Sequence, residues 1–210
     1  MSIAAAAEPR VSARVLDRFE QVAVSILYVF LVMRVWPDSW TMQNMFSMIL
    51  LLSEGAIVVF LLLRKPTEDI SYRLSDWAIA AIGSFLVLLA NTGGTPISTT
   101  AGAILLVVGS VIHIGAKLSL NFSFGLVAAN RGVKKNGMYR IVRHPMYAGY
   151  IITHIGFLLL QPTLWNLAIY LAAWTMLVLR IGAEERMLRR DPAYEAFTRE
   201  VRYKLVPGIY

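Results

Sequence analysis

Residues 145–180 read PMYAGYIITHIGFLLLQPTLWNLAIYLAAWTMLVLR. Two apolar runs meet at Gln161-Pro162, which leaves almost no loop between them. A helix needs about 20 mostly apolar residues to cross a bilayer. Residues 145–160 and 163–180 therefore read as a helical hairpin in a membrane, with a first arm that is short for a full crossing.

Four more apolar segments precede the hairpin, at residues 19–36, 45–63, 74–91 and 99–120. Composition agrees with this reading. The 210 residues are 57% hydrophobic and 16% charged, with a mean hydropathy of +0.60. Soluble domains average about 25% charged residues. The fold class expected is an all-α integral membrane protein of five to six transmembrane helices, ending in a hairpin and a cytosolic amphipathic tail. Residues 1–120 would hold the N-terminal helices, and residues 121–210 a loop, the hairpin and the tail, all in one integrated domain.

Charge placement orients the helices. With the N-terminus in the cytoplasm and six alternating helices, Arg10, Arg14, Arg18, Arg64, Lys65, Arg73, Arg131, Lys134, Lys135, Arg140 and Arg143 all fall inside. Of the 20 Lys and Arg, only Arg34 falls outside. That is the positive-inside asymmetry. Trp36, Trp40 and Trp165 then lie at the outer interface. The net charge of +7 marks the cytoplasmic face rather than a nucleic-acid partner. The location expected is an integral membrane, the inner one in a bacterium. No apolar core ending at a cleavage site follows the first arginines, so no signal peptide is expected. The absence of cysteine excludes a thiolate metal site, a disulfide framework and a cysteine nucleophile. His113, His144 and His154 have no metal-ligand spacing.

A spaced polar set occupies the last third, on the rims of these segments. It begins with Tyr139 and Arg143-His144-Pro145-Met146-Tyr147-Ala148-Gly149. Arg180 and Glu184-Glu185 follow the hairpin, and Pro207-Gly208-Ile209-Tyr210 ends the sequence. Ionisable groups at a membrane rim are expensive unless they bind something. Taken singly, Arg143-His144 reads as cationic helix flanking and Arg180–Glu184 as a surface pair. Glu185 reads equally well as a solvated charge. His113 and His154 read as packing residues. Glu54, inside the second segment, must find a partner, line a substrate path or stay protonated. Tyr194, Phe197, Val201 and Leu205 have helical spacing and read as an interfacial helix beneath the hairpin.

Taken together, the order and spacing of the set resemble the isoprenylcysteine carboxyl methyltransferase family, which is related to the phospholipid N-methyltransferases. The resemblance runs from about Leu118 to the end. It implies an integral-membrane enzyme moving a methyl group from S-adenosylmethionine to a lipophilic acceptor. The acceptor implied is a prenylcysteine-like or other hydrophobic acid, with membrane lipids as surroundings. Carried over residue by residue, Tyr139, His144, Pro145, Met146, Tyr147 and Glu184 would contact the cofactor. The preceding loop, Arg131-Gly132-Val133-Lys134, would join them, although the family carries other residues there. Arg180 would hold substrate, with His144 beside it in catalysis, and Glu54 is a further candidate for the substrate path.

The residue types suit that chemistry. Pro145 fits the first position of a helix, whose free N–H groups offer a carboxylate site. Tyrosine faces attract a sulfonium. A carboxylate acceptor needs no base, and Arg180 would fix it. A phenol or amine acceptor would need a proton removed, by His144, His113 or Glu54. Phospholipid and phenolic-lipid acceptors therefore stay open. So do an NADPH-dependent sterol-type reductase, which shares Arg-His-Pro-x-Tyr, and a non-enzymatic membrane scaffold.

Overall fold

Ser98 and Thr163 open the two longest apolar helices. Each hydroxyl accepts a hydrogen bond from the backbone three residues on, at Ala101 and Asn166. Such caps satisfy donors that a helix start leaves free. The computed structural model describes residues 11–36, 51, 55, 58–64 and 66–210. In chain order the helices are α1 (Ala13–Val35), α2 (Leu74–Phe85), α3 (Thr99–Leu120), α4 (Pro145–Leu160), α5 (Leu164–Leu188) and α6 (Pro192–Glu200). Residues 58–63 are also helical, and Leu86–Leu89 extend α2 as a tighter 3-10 turn. The described residues contain no strand longer than the single bridge Ile70–Ala129.

The expected segments 19–36 and 74–91 overlap α1 and α2 with its 3-10 extension, whereas most of the expected segment 45–63 lies outside the described residues. Residues 99–120 and 145–160 coincide with α3 and α4. Thr99–Ser123 and Leu164–Leu188 are long and apolar enough to cross a bilayer. α4, with 16 residues, is about 24 Å long, short of the ~30 Å hydrocarbon layer. Helix α1 turns Val15, Phe19, Val22, Ile26 and Phe30 outward, and α3 does the same with Ile104, Val107, Val108 and Val111. Those outward faces form an apolar belt.

One expectation is corrected. The hairpin arm α4 packs chiefly on α3 rather than on α5. The reason lies in four glycines. Gly102 and Gly109 on α3 oppose Gly156 and Gly149 on α4, so the two antiparallel backbones touch. A Cβ at Gly149 would sit 2.6 Å from the His113 backbone nitrogen, and one at Gly156 2.8 Å from that of Leu106. The start of α5 is tied to the segment after α2 by Asn166, fully buried, which bonds the backbone of Asn91 in both directions (3.0 and 2.8 Å).

Helix α5 runs past the apolar segment that ends at Arg180 and continues to Leu188, so Arg180, Glu184 and Glu185 lie on one helix whose end projects beyond its apolar part. There it meets the loop after α3, α6 and the tail. Tyr194, Phe197 and Leu205 bury into the same core as Tyr139, Met146 and Tyr147. Residues 203–204 then return to α4. Arg143 N–H donates to Tyr203 O (3.0 Å) and His144 N–H to Lys204 O (2.8 Å).

The N-terminal part reaches this region through a buried ion cluster. The guanidinium of Arg64 pairs with Asp17 (2.6 Å) and Glu20 (2.7 Å), and that of Arg131 with the same two carboxylates (2.9 Å each). None of the four side chains is more than 5% exposed. Two cations against two anions leave the cluster formally neutral, the condition under which buried charge is tolerated.

Candidate functional site

The start of α4 and the projecting end of α5 face each other. Pro145 occupies the first helical turn, where its missing N–H removes nothing. His144, just before it, is held between two carboxylates. Its Nε2 lies 3.3 Å from Glu185 Oε1, and its Nδ1 lies 3.6 Å from Glu184 Oε2. Arg143 donates to Glu185 at 2.8 Å and to the carbonyls of Val201 (2.9 Å) and Arg202 (2.6 Å). Glu185 is thus a buried hub, and its reading as a solvated charge is corrected. The Tyr147 hydroxyl donates to Glu184. Arg180 Nε lies 3.3 Å from Glu184 Oε1, and its guanidinium stacks 5.3 Å over the Tyr147 ring.

Electrostatics follow from this crowding. Burial alone pulls His144 down, but hydrogen bonds and charge from Glu184 and Glu185 outweigh it and raise its pKa above the usual 6.5. Burial pushes the Tyr139 phenol up, and Glu184 adds to the effect. Burial does the same to Tyr194, beside Glu185. Both phenols stay neutral donors at any physiological pH.

Two cavities open on either side of these residues. The more polar one, of about 90 Å³, is lined by Arg131, Gly132, Val133, Lys134, Tyr139, His144, Met146, Tyr147 and Glu184, together with several apolar side chains. Nearly all the expected cofactor residues therefore surround one space. Pro145 is buried and does not line it. The second cavity, about 220 Å³ and mostly apolar, is lined by Leu27, Leu31, Val58, Val87, Leu88, Phe124, Leu126, Tyr150, His154, Leu177 and Arg180. Met146 lines both. Glu184 faces the polar cavity and Arg180, one turn away, the apolar one.

The remaining candidates fall elsewhere. Glu54 lies outside the described residues. His113 packs on Tyr150 with ring centroids 5.1 Å apart. His154 accepts from Trp174 Nε1 (3.2 Å), stacks on Tyr170 (4.5 Å) and borders the apolar cavity. Arg131 lines the polar cavity while its guanidinium is engaged by Asp17 and Glu20. Among the described residues, no group of three or more acidic, histidine or cysteine side chains could hold a metal ion. Sequence reasoning missed Asp17, Glu20 and Arg64. The signal was there: Asp17 and Glu20 share one helix face by their i,i+3 spacing, and Glu20 stands inside an apolar segment.

Comparison with known proteins gives three similarities. Residues 97–194 match the family model described as phospholipid methyltransferase. Protein-S-isoprenylcysteine O-methyltransferase A of Arabidopsis thaliana is 32% identical over 98 residues, 42% of this chain and 48% of that protein. The match thus spans about half the length of that curated relative. Among solved structures, a eukaryotic intramembrane Ras methyltransferase ICMT (isoprenylcysteine carboxyl methyltransferase) aligns with a TM-score of 0.48 at 19% identity, over 93% of this chain and 86% of that one. The chain is therefore similar to phospholipid methyltransferases over residues 97–194 and to an isoprenylcysteine O-methyltransferase over 98 residues, the two families its polar motif set resembles.

Proposed function

We propose that the chain is an integral-membrane methyltransferase that uses S-adenosylmethionine and methylates a lipophilic acceptor, foremost the carboxylate of a prenylcysteine-like or other hydrophobic acid. The observation that carries this reading is the pair of adjoining cavities, one polar and one apolar, bridged by Glu184 and Arg180 at 3.3 Å. A transfer between a charged, water-soluble donor and a lipid-borne acceptor needs both spaces and a shared wall.

The polar cavity fits the donor by its chemistry. Glu184 offers an acceptor to an ammonium or a ribose diol. The rings of Tyr139 and Tyr147 suit a flat base or a sulfonium. The start of α4 and His144, whose pKa its two carboxylate neighbours raise, suit a carboxylate. When bound, S-adenosylmethionine supplies an electrophilic methyl on a sulfonium. The chain's own residues do the rest. Arg180, buried, pairs with the acceptor carboxylate and aims it at the wall that Met146 shares. Tyr147 and Glu184 hold Arg180 in place. The apolar lining excludes water that would compete as nucleophile. Residues 121–210 carry this chemistry, and six spans with a cytoplasmic site are supported by the charge asymmetry.

A phospholipid amine is the second reading, favoured by the family model matched at residues 97–194. One experiment separates the two. Purified protein in detergent receives labelled S-adenosylmethionine with either N-acetyl-S-farnesylcysteine or a membrane phospholipid extract. Carboxyl methylation gives label that mild base releases as methanol, whereas N-methylation gives label that resists base. Calorimetry runs beside it with S-adenosylmethionine and with NADPH. No donor binding and no label in either arm refutes the methyltransferase reading, and binding of NADPH alone favours a reductase.

A further inference from the structure

The wall between the two cavities has a sequence of its own. Ser123, Gly125, Val127, Ala129 and Arg131 line the polar cavity. Phe124 and Leu126, interleaved with them, line the apolar one. The alternation runs without a regular strand: Ser123 ends a 3-10 turn and the backbone bends at residues 126–127. A shift of one residue would still exchange the side chains that the two cavities meet.

Among the described residues, no strand pairs with residues 123–127 to set their register. Side chains from three other elements hold their backbone instead. Arg64 donates to Phe124 O (3.0 Å). Arg180 reaches Gly125 O (3.4 Å). Glu20 Oε1 accepts from the N–H groups of both Leu126 and Val127, the latter at 2.9 Å. The other Glu20 oxygen holds Arg64 and Arg131 at 2.7 and 2.9 Å. Gly125 is required where it stands, because a Cβ there would come within 2.6 Å of the Arg131 guanidinium carbon.

We propose that residues 123–127 form the partition between the donor and acceptor cavities, and that Glu20 is the positioning residue that fixes its register. This rests on the two-cavity reading of the preceding section. Glu20 touches neither cavity. It acts through the two amides it binds, one on an apolar-facing and one on a polar-facing residue. The ion pairs with Arg64 and Arg131 hold it still.

The test uses sidedness. On purified full-length protein, the Kd of S-adenosylmethionine and that of N-acetyl-S-farnesylcysteine are measured for the parent, Leu126→Ala, Val127→Ala and Glu20→Gln. Leu126→Ala weakens the farnesyl probe about three- to tenfold and leaves the donor within about twofold. Val127→Ala does the reverse. Glu20→Gln lowers kcat about tenfold or more while each KM moves less than kcat, because misalignment is felt in the transition state. Glu20→Asp, which keeps the charge, recovers part of that loss. If Glu20→Gln does not fold, the two alanine variants still decide. A parent that binds neither probe overturns the methyltransferase reading. A parent that binds both, with alanine variants that move both constants together, overturns the partition, and so does a parent that binds only one.

Discussion

Glu185→Ala tests whether the second glutamate holds the site together. The carboxylate is 6% exposed and takes Arg143 at 2.8 Å, His144 at 3.3 Å and the Tyr194 hydroxyl at 3.5 Å. Truncation leaves His144 with Glu184 at 3.6 Å, but it leaves Arg143 with no carboxylate among these partners. Stranding one member of a buried ion pair costs about 3–5 kcal/mol. The carbonyls of Val201 and Arg202 still solvate the guanidinium, so the lower end applies, about 3 kcal/mol. For a chain of this size that is a fall in Tm of roughly 6–12 °C. Thermal unfolding in detergent, followed by intrinsic fluorescence, reads it directly. Glu185→Gln keeps one acceptor and should fall about half as far. The double variant Arg143→Met/Glu185→Ala should be more stable than Glu185→Ala alone, because no charge is left stranded. A fall of under about 2 °C for Glu185→Ala, or a double variant that merely adds the two single losses, refutes the hub.

Other outcomes follow from the same geometry. His144 has a raised folded pKa, so its contribution to stability is full below 6.5 and is lost as pH rises through the folded value. The parent's Tm should therefore decline over that window, and His144→Gln should flatten the decline. Gly109→Val, on the face where any Cβ meets Thr153, should force α3 and α4 apart and cost about 1–3 kcal/mol, read as a lower Tm, whereas Gly182→Ala, in open space, should not. Arg180→Lys should lower kcat for a carboxylate acceptor by about tenfold or more, with the donor Kd nearly unchanged, since a point charge replaces a planar fork. Equal loss of donor binding and turnover would place Arg180 in the donor cavity instead.

Helix ends were legible where a residue type imposed them. Pro145 can begin a helix but not sit inside one, and Ser98 offers a cap, so α4 and α3 start where the sequence says. The apolar run of α5 ends at Arg180, but Ile181-Gly182-Ala183 carries the helix on to Glu184 and Glu185, as the i,i+4 spacing of Arg180 and Glu184 requires. The polar cavity was legible because its residues fall in a few short motifs. The ion cluster was not, because Asp17 and Arg64 lie 47 residues apart and each reads as ordinary helix flanking. The α3–α4 seam was hidden for a similar reason. Glycines seven residues apart draw no notice on one helix, and their meaning appears only when the partner helix carries the same spacing.

The ion cluster also imposes an order on synthesis. Arg64 follows Asp17 by 47 residues and Arg131 by 114. At about 5–20 residues per second, Arg64 emerges roughly 2–9 s after Asp17, and Arg131 roughly 6–23 s after it. Between the two arrivals the two carboxylates share one arginine and carry a net negative charge. The first helices therefore wait, half neutralised, for the loop after α3. Only its arrival lets the wall of the site and the N-terminal helix bury together.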